Sequence, residues 1–288
     1  MHEIWPQILI LSCIKGAVYS LIAIGFTLVF GVARVVNLAH GSFYMLGAYF
    51  VYILIQYCQL HSFVAMIVSV LLVGCIGAAV DFAIIRPKRH SSFYVTIITL
   101  SFALLCQYII LSIIGPQAKN ISSFFKSDTI IGGFHIANQR IFVMIVFIAV
   151  VTGLITFLKF SRFGKAIVAV SEHYSGAVLM GISPEMVFVF VNGASASMAA
   201  LAGIMISPFL NLNPMMWVFP LIKAFAVVIL GGMGSVYGSV VAAFILGFSE
   251  VTVTMLISGQ LEDLISLMVI AIMLLIKPSG LFGTPSSR

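Results

Sequence analysis

The stretch VVNLAHGSFYMLGAY, residues 35–49, lies between two long apolar runs of the chain. It contains an asparagine, a histidine, a serine and two glycines, which are residue types that interrupt an apolar helix. Asn37 and His40 are three residues apart, so they share one face if the segment is helical. Three roles are open for this pair: capping a broken helix, bonding to neighbouring helices, or lining a path through the protein.

The apolar runs around this stretch are typical of a membrane protein. Of the 288 residues, 62% are hydrophobic and 8% are charged, whereas soluble domains carry roughly 25% charged residues. Most of the runs reach the ~20 residues that a membrane helix needs, and the seventh and ninth of the spans given below are shorter. The predicted fold class is all-α: one transmembrane domain over residues 1–288, with about eight to ten transmembrane helices, some broken or re-entrant. The predicted spans are 6–30, 37–57, 62–85, 91–114, 140–158, 186–208, 217–231, 236–257 and 263–277.

The basic residues between the spans predict an orientation. Alternating spans place nine Lys and Arg residues on one side and three on the other, and the richer side is expected to be cytoplasmic. The N-terminus is then outside and the C-terminus is cytoplasmic. The two long connections are an external loop at about 115–139 and a cytoplasmic loop at about 159–185. The richer side holds Arg34, Arg86, Lys88, Arg89, Lys159, Arg162, Lys165, Lys277 and Arg288, and the poorer side holds Lys119, Lys126 and Arg140.

Three charged residues fall inside predicted spans. Lys15, Lys223 and Glu250 lie roughly 10–14 Å from the outer ends of their spans. Charges inside a membrane usually pair or face a cavity, and the similar depths allow lysine–glutamate pairing. This set is either a strut between helices or a charged rim that receives a zwitterion from outside. Near the opposite side, Asp81 is expected to pair with Arg86.

The hypothesis for a substrate path through the protein rests on small and polar residues inside the predicted spans. The stretch NGASASMAALAG, residues 192–203, suits close helix packing, and its polar side chains either share that packing or line a cavity. Gly-Ser-x-Tyr occurs at residues 41–44 and again at 234–237, and each copy predicts a helix break on the cytoplasmic side. The residues hypothesised to line the substrate path are Asn37, His40, Ser42, Asn192, Ser195 and Ser197.

The sequence argues against several other classes of protein. The six histidines are scattered, which predicts no metal site, and the basic residues are too dispersed for a nucleic-acid surface. A membrane-embedded enzyme is disfavoured because paired carboxylates and a nucleophile motif are missing from the spans. The segment 163–166 resembles a phosphate loop only in its Gly-Lys pair and lacks the following hydroxyl residue.

Five stretches together resemble the permease subunits of ABC importers for branched-chain amino acids. The resemblance implies movement of branched-chain or other small neutral amino acids across a bacterial or archaeal cytoplasmic membrane. Related permeases for urea or short amides are the alternative, and a stand-alone secondary transporter is a more distant one. The five stretches are GVARVVNLAHGSFYMLGAY (31–49), RPKR (86–89), RFGKAIVAVSEHYSGAVLMGI (162–182), KAFAVVILGGMGSVYGS (223–239) and KPSGLFG (277–283).

The same resemblance implies the partners. They are a second permease subunit, like or unlike this chain, two ABC ATPase subunits, a periplasmic or lipid-anchored solute-binding protein, and membrane lipid. The chain itself is expected to have no enzymatic activity and no cofactor, because ATP-Mg is used by the ATPase subunits. One position departs from the family, whose members usually carry a basic residue where this chain has Val168. The residues expected to couple the chain to the ATPase are Gly164, Lys165, Glu172, Ala177 and Gly181, and Gly181 is expected to end a helix of this loop.

Overall fold

The computed structural model describes residues 4–125, 127–131, 134–277 and 279–282. Both chain termini lie outside the described residues, as do Lys126 and Arg288 of the orientation prediction. The described part consists of eleven α-helices and one two-stranded antiparallel sheet. The elements are α1 (Ile4–Ala33), α2 (Ala39–Gln56), α3 (Ser62–Val80), α4 (Ser92–Ile114), β1 (Asp128–Ile131), β2 (Phe134–Ala137), α5 (Asn138–Phe160), α6 (Arg162–Glu172), α7 (Tyr174–Leu179), α8 (Pro184–Ile206), α9 (Val218–Gly231), α10 (Val236–Leu256) and α11 (Glu262–Ile276).

The predicted all-α membrane fold is confirmed. Seven helices of the described chain are long and apolar enough to cross a membrane. The nine predicted spans coincide with α1–α5 and α8–α11. Helix α3 continues through a π-helical turn, Asp81–Ile85, and a 3-10 turn, Arg86–Lys88, so it is longer than predicted. Helix α9 has 14 residues, or ~21 Å of helix, which is too short for a full crossing.

Helix α2 lies inside the bundle, in contact with α3, α4, α8 and α9, and it contacts α1 through His40. Every residue from Ala39 to Tyr49 is buried. Small residues permit this close packing: a Cβ atom added to Gly47 would lie 2.5 Å from the Cα atom of Ala200 on α8. The backbones of α8 and α2 therefore approach each other directly along the small-residue stretch of α8. This close packing is one of the two roles that the sequence predicted for that stretch.

The break before α2 lies earlier and deeper than the sequence suggests. Helix α1 ends at Ala33, Arg34 has a left-handed φ of 51°, and residues 34–38 are not helical. His40, in the first turn of α2, contacts the carbonyl of Ile22. Ile22 lies ~16 Å along the helix axis before the end of α1 at Ala33, so α2 begins beside the middle of α1. The predicted break at residues 41–44 is wrong, because these residues form the first turns of α2 within the bundle.

The second Gly-Ser-x-Tyr copy does adjoin a helix break. Gly232 and Gly234 have φ values of 104° and 91°, which residues with a Cβ atom resist, and Ser235 caps α10 by accepting the amide of Gly238 at 3.0 Å. The C-terminal segment satisfies free carbonyls of α9, because the amides of residues 281 and 282 donate to residues 230 and 231 at 2.8 and 3.1 Å. Helices α9 and α10 therefore meet at a tight, capped turn.

The connections distinguish the two ends of the bundle. Helices α6 and α7 form a surface element between α5 and α8, and we call this the α6–α7 end. The β1–β2 hairpin lies before α5, at the other end, which we call the hairpin end. The sequence analysis missed the hairpin. Its signal is a Gly132-Gly133 pair between apolar residues; both glycines lie outside the described residues.

Candidate functional site

Five charged side chains from four helices form a cluster towards the hairpin end, and we call it the charge cluster. Lys15 comes from α1, Lys223 from α9, Glu250 from α10, and Glu262 and Asp263 from the start of α11. The structure brings together all three charged residues that the sequence placed inside spans: the Nζ atoms of Lys15 and Lys223 lie 3.1 and 3.3 Å from Oε2 of Glu250.

Glu250 is the fully buried centre of the charge cluster. Besides the two ammonium groups, its carboxylate accepts hydrogen bonds from the hydroxyls of Tyr19 and Ser266, each at 2.5 Å. A buried carboxylate costs several kcal/mol to desolvate, so it persists where charges and donors compensate it on all sides. Four donors from three helices supply that compensation here.

The acidic pair at residues 262 and 263 belongs to the same cluster, which the sequence pattern did not predict. In the structure, Glu262 Oε1 lies 2.7 Å from Lys15 Nζ and 2.8 Å from Lys223 Nζ, and Asp263 Oδ1 lies 3.1 Å from Lys223 Nζ. The cluster thus extends from buried Glu250 to the half-exposed side chain of Asp263. It is both a link between helices and a charged surface at the hairpin end.

A second polar group surrounds the start of α2, and we call it the α2 network. Asn37 Oδ1 accepts the amide of Ala39 at 3.0 Å, which caps α2, while its Nδ2 donates to Asn192 Oδ1 on α8, also at 3.0 Å. Asn192 Nδ2 in turn donates to Asp81 Oδ1 at 2.9 Å. Helices α2, α8 and α3 are joined by this chain of amides, which ends on a carboxylate.

His40 completes the α2 network on the side of α1. Its Nε2 donates to the carbonyl of Ile22 at 2.8 Å, because a carbonyl oxygen can only accept. In the neutral ring Nδ1 is then an acceptor, and the Ser195 hydroxyl donates to it at 3.1 Å. The neutral ring is therefore held between α1 and α8. A Cβ atom on Gly25 would lie 2.9 Å from Cε1 of His40, so a glycine in α1 makes room for the ring.

Asp81 pairs with Arg89 and not with Arg86, which corrects the sequence expectation. Arg89 Nη2 donates to Asp81 Oδ2 at 2.5 Å. The guanidinium of Arg86 instead lies 2.5 Å from Glu185 at the start of α8. The π-helical and 3-10 turns after α3 explain the change, because they shift the two arginines relative to a regular helix.

The residues hypothesised to line the path lie in or beside this network. Asn37, His40, Ser42, Asn192 and Ser195 are buried, and Ser197 is partly buried. Two of the three open roles correspond to contacts of the structure: Asn37 caps a helix and bonds to a neighbouring helix, and His40 bonds to two neighbouring helices. Path lining stays a prediction for all six.

Helix α6 is amphipathic and lies across the α6–α7 end. Ser161 caps it by accepting the amide of Gly164 at 2.7 Å. A Cβ atom on Gly164 would lie 2.6 Å from Cα of Leu158, so only glycine lets α6 turn this closely against the end of α5. Ile167 and Val170 face the bundle, whereas Lys165 and Glu172 are exposed.

Helix α7 ends as the sequence predicts. Gly181 has a φ of 79°, its amide donates to the carbonyl of Val178, and the amide of Ile182 donates to that of Ala177, both at 3.0 Å. This is the Schellman arrangement, with glycine just past the helix end. Ala177 packs into the bundle, while Leu179 and Met180 are 87% and 83% exposed. The tip of α7 is thus an exposed apolar surface, although Ala177 and Gly164 face inward.

The described residues contain no group of three or more His, Cys, Asp or Glu side chains that could hold a metal ion. Their charged groups are arranged in ion pairs and surface elements. Of the sites above, the surface of α6 and α7 is the one open to a large partner. The charge cluster and the α2 network are built into the packing of the bundle.

Comparison with known proteins identifies relatives over almost the whole chain. A family model described as "Branched-chain amino acid transport system / permease component" matches residues 8–276. The high-affinity branched-chain amino acid transport system permease protein LivH of Salmonella typhimurium is 28% identical over 285 residues, covering 94% of this chain and 92% of that protein. The permease protein BraD of Pseudomonas aeruginosa is 27% identical and covers 99% of this chain and 98% of BraD. The permease protein LivM of Escherichia coli is 24% identical and covers 81% and 60%.

A solved structure shares the fold. The match is to PsaBC from Streptococcus pneumoniae in complex with Fab, with a TM-score of 0.50 and 16% sequence identity. It covers 94% of this chain and 91% of that chain. At this identity the likeness concerns the arrangement of helices.

Proposed function

This chain belongs to the family of branched-chain amino acid transport system permease components, and from that premise we propose that it is a membrane-spanning permease subunit of an ABC importer. Its cargo in this proposal is a branched-chain or other small neutral amino acid. Separate ATPase subunits consume ATP-Mg, and a solute-binding protein delivers the cargo. The proposal includes no enzymatic activity of the chain itself. The observation that carries it is the family match over residues 8–276 of a multi-span bundle.

The surface of α6 and α7 supports the coupling role in this proposal. Exposed leucine and methionine at a helix tip are unfavourable in water and mark an interaction surface. A short helix with an apolar tip suits a groove in a soluble partner. We assign the ATPase contact to the exposed residues Lys165, Glu172 and Gly181 together with the tip of α7. Gly164 and Ala177 support this surface from below, because they pack against the bundle.

The second permease subunit is also part of the proposal. Relatives named LivH and LivM both match this chain, which supports a pair of related permeases in one transporter. Many large apolar side chains of α4 and α5 are exposed, among them Tyr108 and Ile148, so ample surface is free for lipid and for a second subunit. The six hypothesised path residues would line the cargo route in a state where α2 and α8 separate.

The orientation remains part of the proposal, with the α6–α7 end in the cytoplasm. The test uses a variant in which the four cysteines are replaced and single cysteines are introduced at Ser175 or Ser122, both exposed. A membrane-impermeant maleimide should label Ser175→Cys only from the cytoplasmic side and Ser122→Cys only from outside. Labelling of both from the same side would reject the orientation and the nine-span topology.

Transport itself is tested by reconstitution. The permease is purified with its ATPase partners, placed in vesicles containing ATP, and supplied with leucine-loaded binding protein. We expect uptake of labelled leucine that depends on both ATP and the binding protein. Uptake of urea or acetamide in place of leucine would move the chain to the alternative cargo class. Uptake driven by an ion gradient without ATP would reject the ABC importer.

A further inference from the structure

A cavity of about 680 Å³ separates the junction of α6 and α7 from the rest of the bundle. Its walls are the end of α1, the turn after α3, residues 170–176 and the start of α8. Its volume is within the range of small-molecule sites. Of the residues assigned above to coupling or to the path, only Glu172 lines this cavity. The cavity is therefore a feature that the proposed function does not yet use.

The charges on the cavity wall select the class of ligand. Three arginines and two glutamates line it. Arg86 is paired with Glu185, and Arg89 is paired with Asp81 behind the wall. Among the described residues, the two remaining wall charges, Arg34 and Glu172, form no ion pair within 4.0 Å. One guanidinium and one carboxylate are thus uncommitted beside the same space.

This balance favours a zwitterion over an anion. The three arginines are matched in number by Glu172, Glu185 and Asp81, so a dianion would add negative charge to a site that has no net positive charge. A molecule with one carboxylate and one ammonium group satisfies both uncommitted charges. The wall also has an apolar side, formed by Val32, Val170 and Phe188, which suits an aliphatic side chain.

The backbone at Arg34 is an independent observation. Its φ of 51° is left-handed, a conformation that residues with a Cβ atom resist and that glycine adopts freely. Strained residues of this kind are concentrated at functional sites. An arginine thus stands at a position where the backbone favours glycine, and this residue lines the cavity.

We propose that this cavity binds a free amino acid with an aliphatic side chain, whose carboxylate contacts Arg34 and whose ammonium group contacts Glu172. This inference rests on the proposed function, because it identifies the ligand as the cargo after delivery to the cytoplasm. The ligand would engage Glu172, which the proposed function assigns to the ATPase contact, so binding competes with that contact at the α6–α7 junction. Accumulated cargo then slows further import.

Ligand chemistry is tested on the permease–ATPase complex without binding protein. Binding of leucine, leucinamide, 4-methylpentanoate and inorganic phosphate is measured by calorimetry. We expect saturable leucine binding and at least ~10-fold weaker binding of the other three, because each lacks one of the two charges or the aliphatic group. Equal binding of 4-methylpentanoate or phosphate would show an anion site and overturn the proposal, as would absence of saturable leucine binding.

Variants then locate the site. Arg34→Gly removes the guanidinium and fits the left-handed backbone of the folded chain, and the unfolding temperature of the variant is measured alongside its binding. We expect Arg34→Gly and Glu172→Gln each to weaken leucine binding by ~10-fold or more. The matched control is Arg162→Gln, an exposed arginine of α6 that does not line the cavity. Unchanged binding in both Arg34→Gly and Glu172→Gln would overturn the proposal.

Transport in vesicles separates this inference from the proposed function. Leucine is placed on the ATPase side, and uptake driven by loaded binding protein is followed. We expect leucine on that side to slow uptake in the wild type and to have little effect in Arg34→Gly. If uptake fails even without leucine on that side, the proposed function fails. If uptake proceeds and leucine inhibits both proteins equally, or neither, only the regulatory cavity is rejected.

Discussion

The charge cluster and the α2 network solve the same problem in different ways. Both hold a fully buried carboxylate within an apolar bundle, Glu250 in one and Asp81 in the other. Glu250 is compensated by two ammonium groups and two hydroxyls from neighbouring helices. Asp81 is compensated by the guanidinium of Arg89 and the side-chain amide of Asn192. The same amide group of Asn192 also accepts a hydrogen bond from Asn37.

The difference follows from how the connected helices pack. Helix α2 is buried along most of its length, so apolar contacts hold it, and neutral amides suffice to set its register. Helix α11 contributes one buried residue in the described chain, Ser266. Its apolar residues Ile265, Val269, Ile270 and Met273 pack against the core but are only partly buried, and Glu262, Asp263 and Ser266 add ion pairs and a hydrogen bond. The less buried helix thus has charged contacts in addition to its packing, and the more deeply buried one is aligned by hydrogen bonds.

The largest effect is expected at the centre of the charge cluster. Glu250→Leu removes the carboxylate and leaves the ammonium groups of Lys15 and Lys223 close to an apolar interior. We expect a loss of about 3–5 kcal/mol in the free energy of unfolding, because a buried ion pair is broken and the hydroxyls of Tyr19 and Ser266 lose their acceptor, while Glu262 and Asp263 still contact the two lysines. Thermal unfolding in detergent measures it. The double variant Glu250→Leu, Lys223→Met should be milder than the single one, and a double variant that is equally unstable would contradict the pairing.

A smaller loss is expected at the carboxylate of the α2 network. Asp81→Asn keeps the shape and one acceptor but removes the charge that holds Arg89. We expect a loss of about 1–3 kcal/mol in the free energy of unfolding, typical of a hydrogen bond to a charged partner. The control is Glu185→Gln, whose side chain is 42% exposed and should cost about 1 kcal/mol or less. If both variants cost the same, burial of Asp81 does not set the strength of this network.

The smallest effect on the bundle is expected at the tip of α7. Gly181→Val places a branched residue at a φ of 79°, which costs roughly 1–2 kcal/mol locally, while a Cβ atom there meets no atom within 4 Å. The unfolding temperature of the bundle should therefore stay close to that of the wild type, while co-purification of the ATPase falls.

Gly181→Asn is the matched control, because asparagine tolerates the left-handed conformation better than valine does. It should retain more ATPase than Gly181→Val. Equal and complete retention in both variants would remove the tip of α7 from the coupling surface.

Local signals in the sequence predicted much of this molecule. Long apolar runs located the nine spans, and glycine at residue 181 located the end of α7. The hairpin was missed because its strands are four residues each, although a Gly-Gly pair marked its turn. The break before α2 was misplaced because the polar residues after it are buried in the helix, where they contact α1 and α8.

Composition, hydropathy and the spacing of glycines determined by themselves that the chain is a helical membrane bundle with a surface element between two of its spans. They also identified Lys15, Lys223 and Glu250 as charges needing partners. Only the tertiary structure decided that Glu262 and Asp263 join them, that Asp81 takes Arg89, and that Arg34 shares a cavity with Glu172. The reason is physical: hydropathy is a property of one segment, whereas the partner of a charge depends on the rotation and register of helices that are distant in sequence.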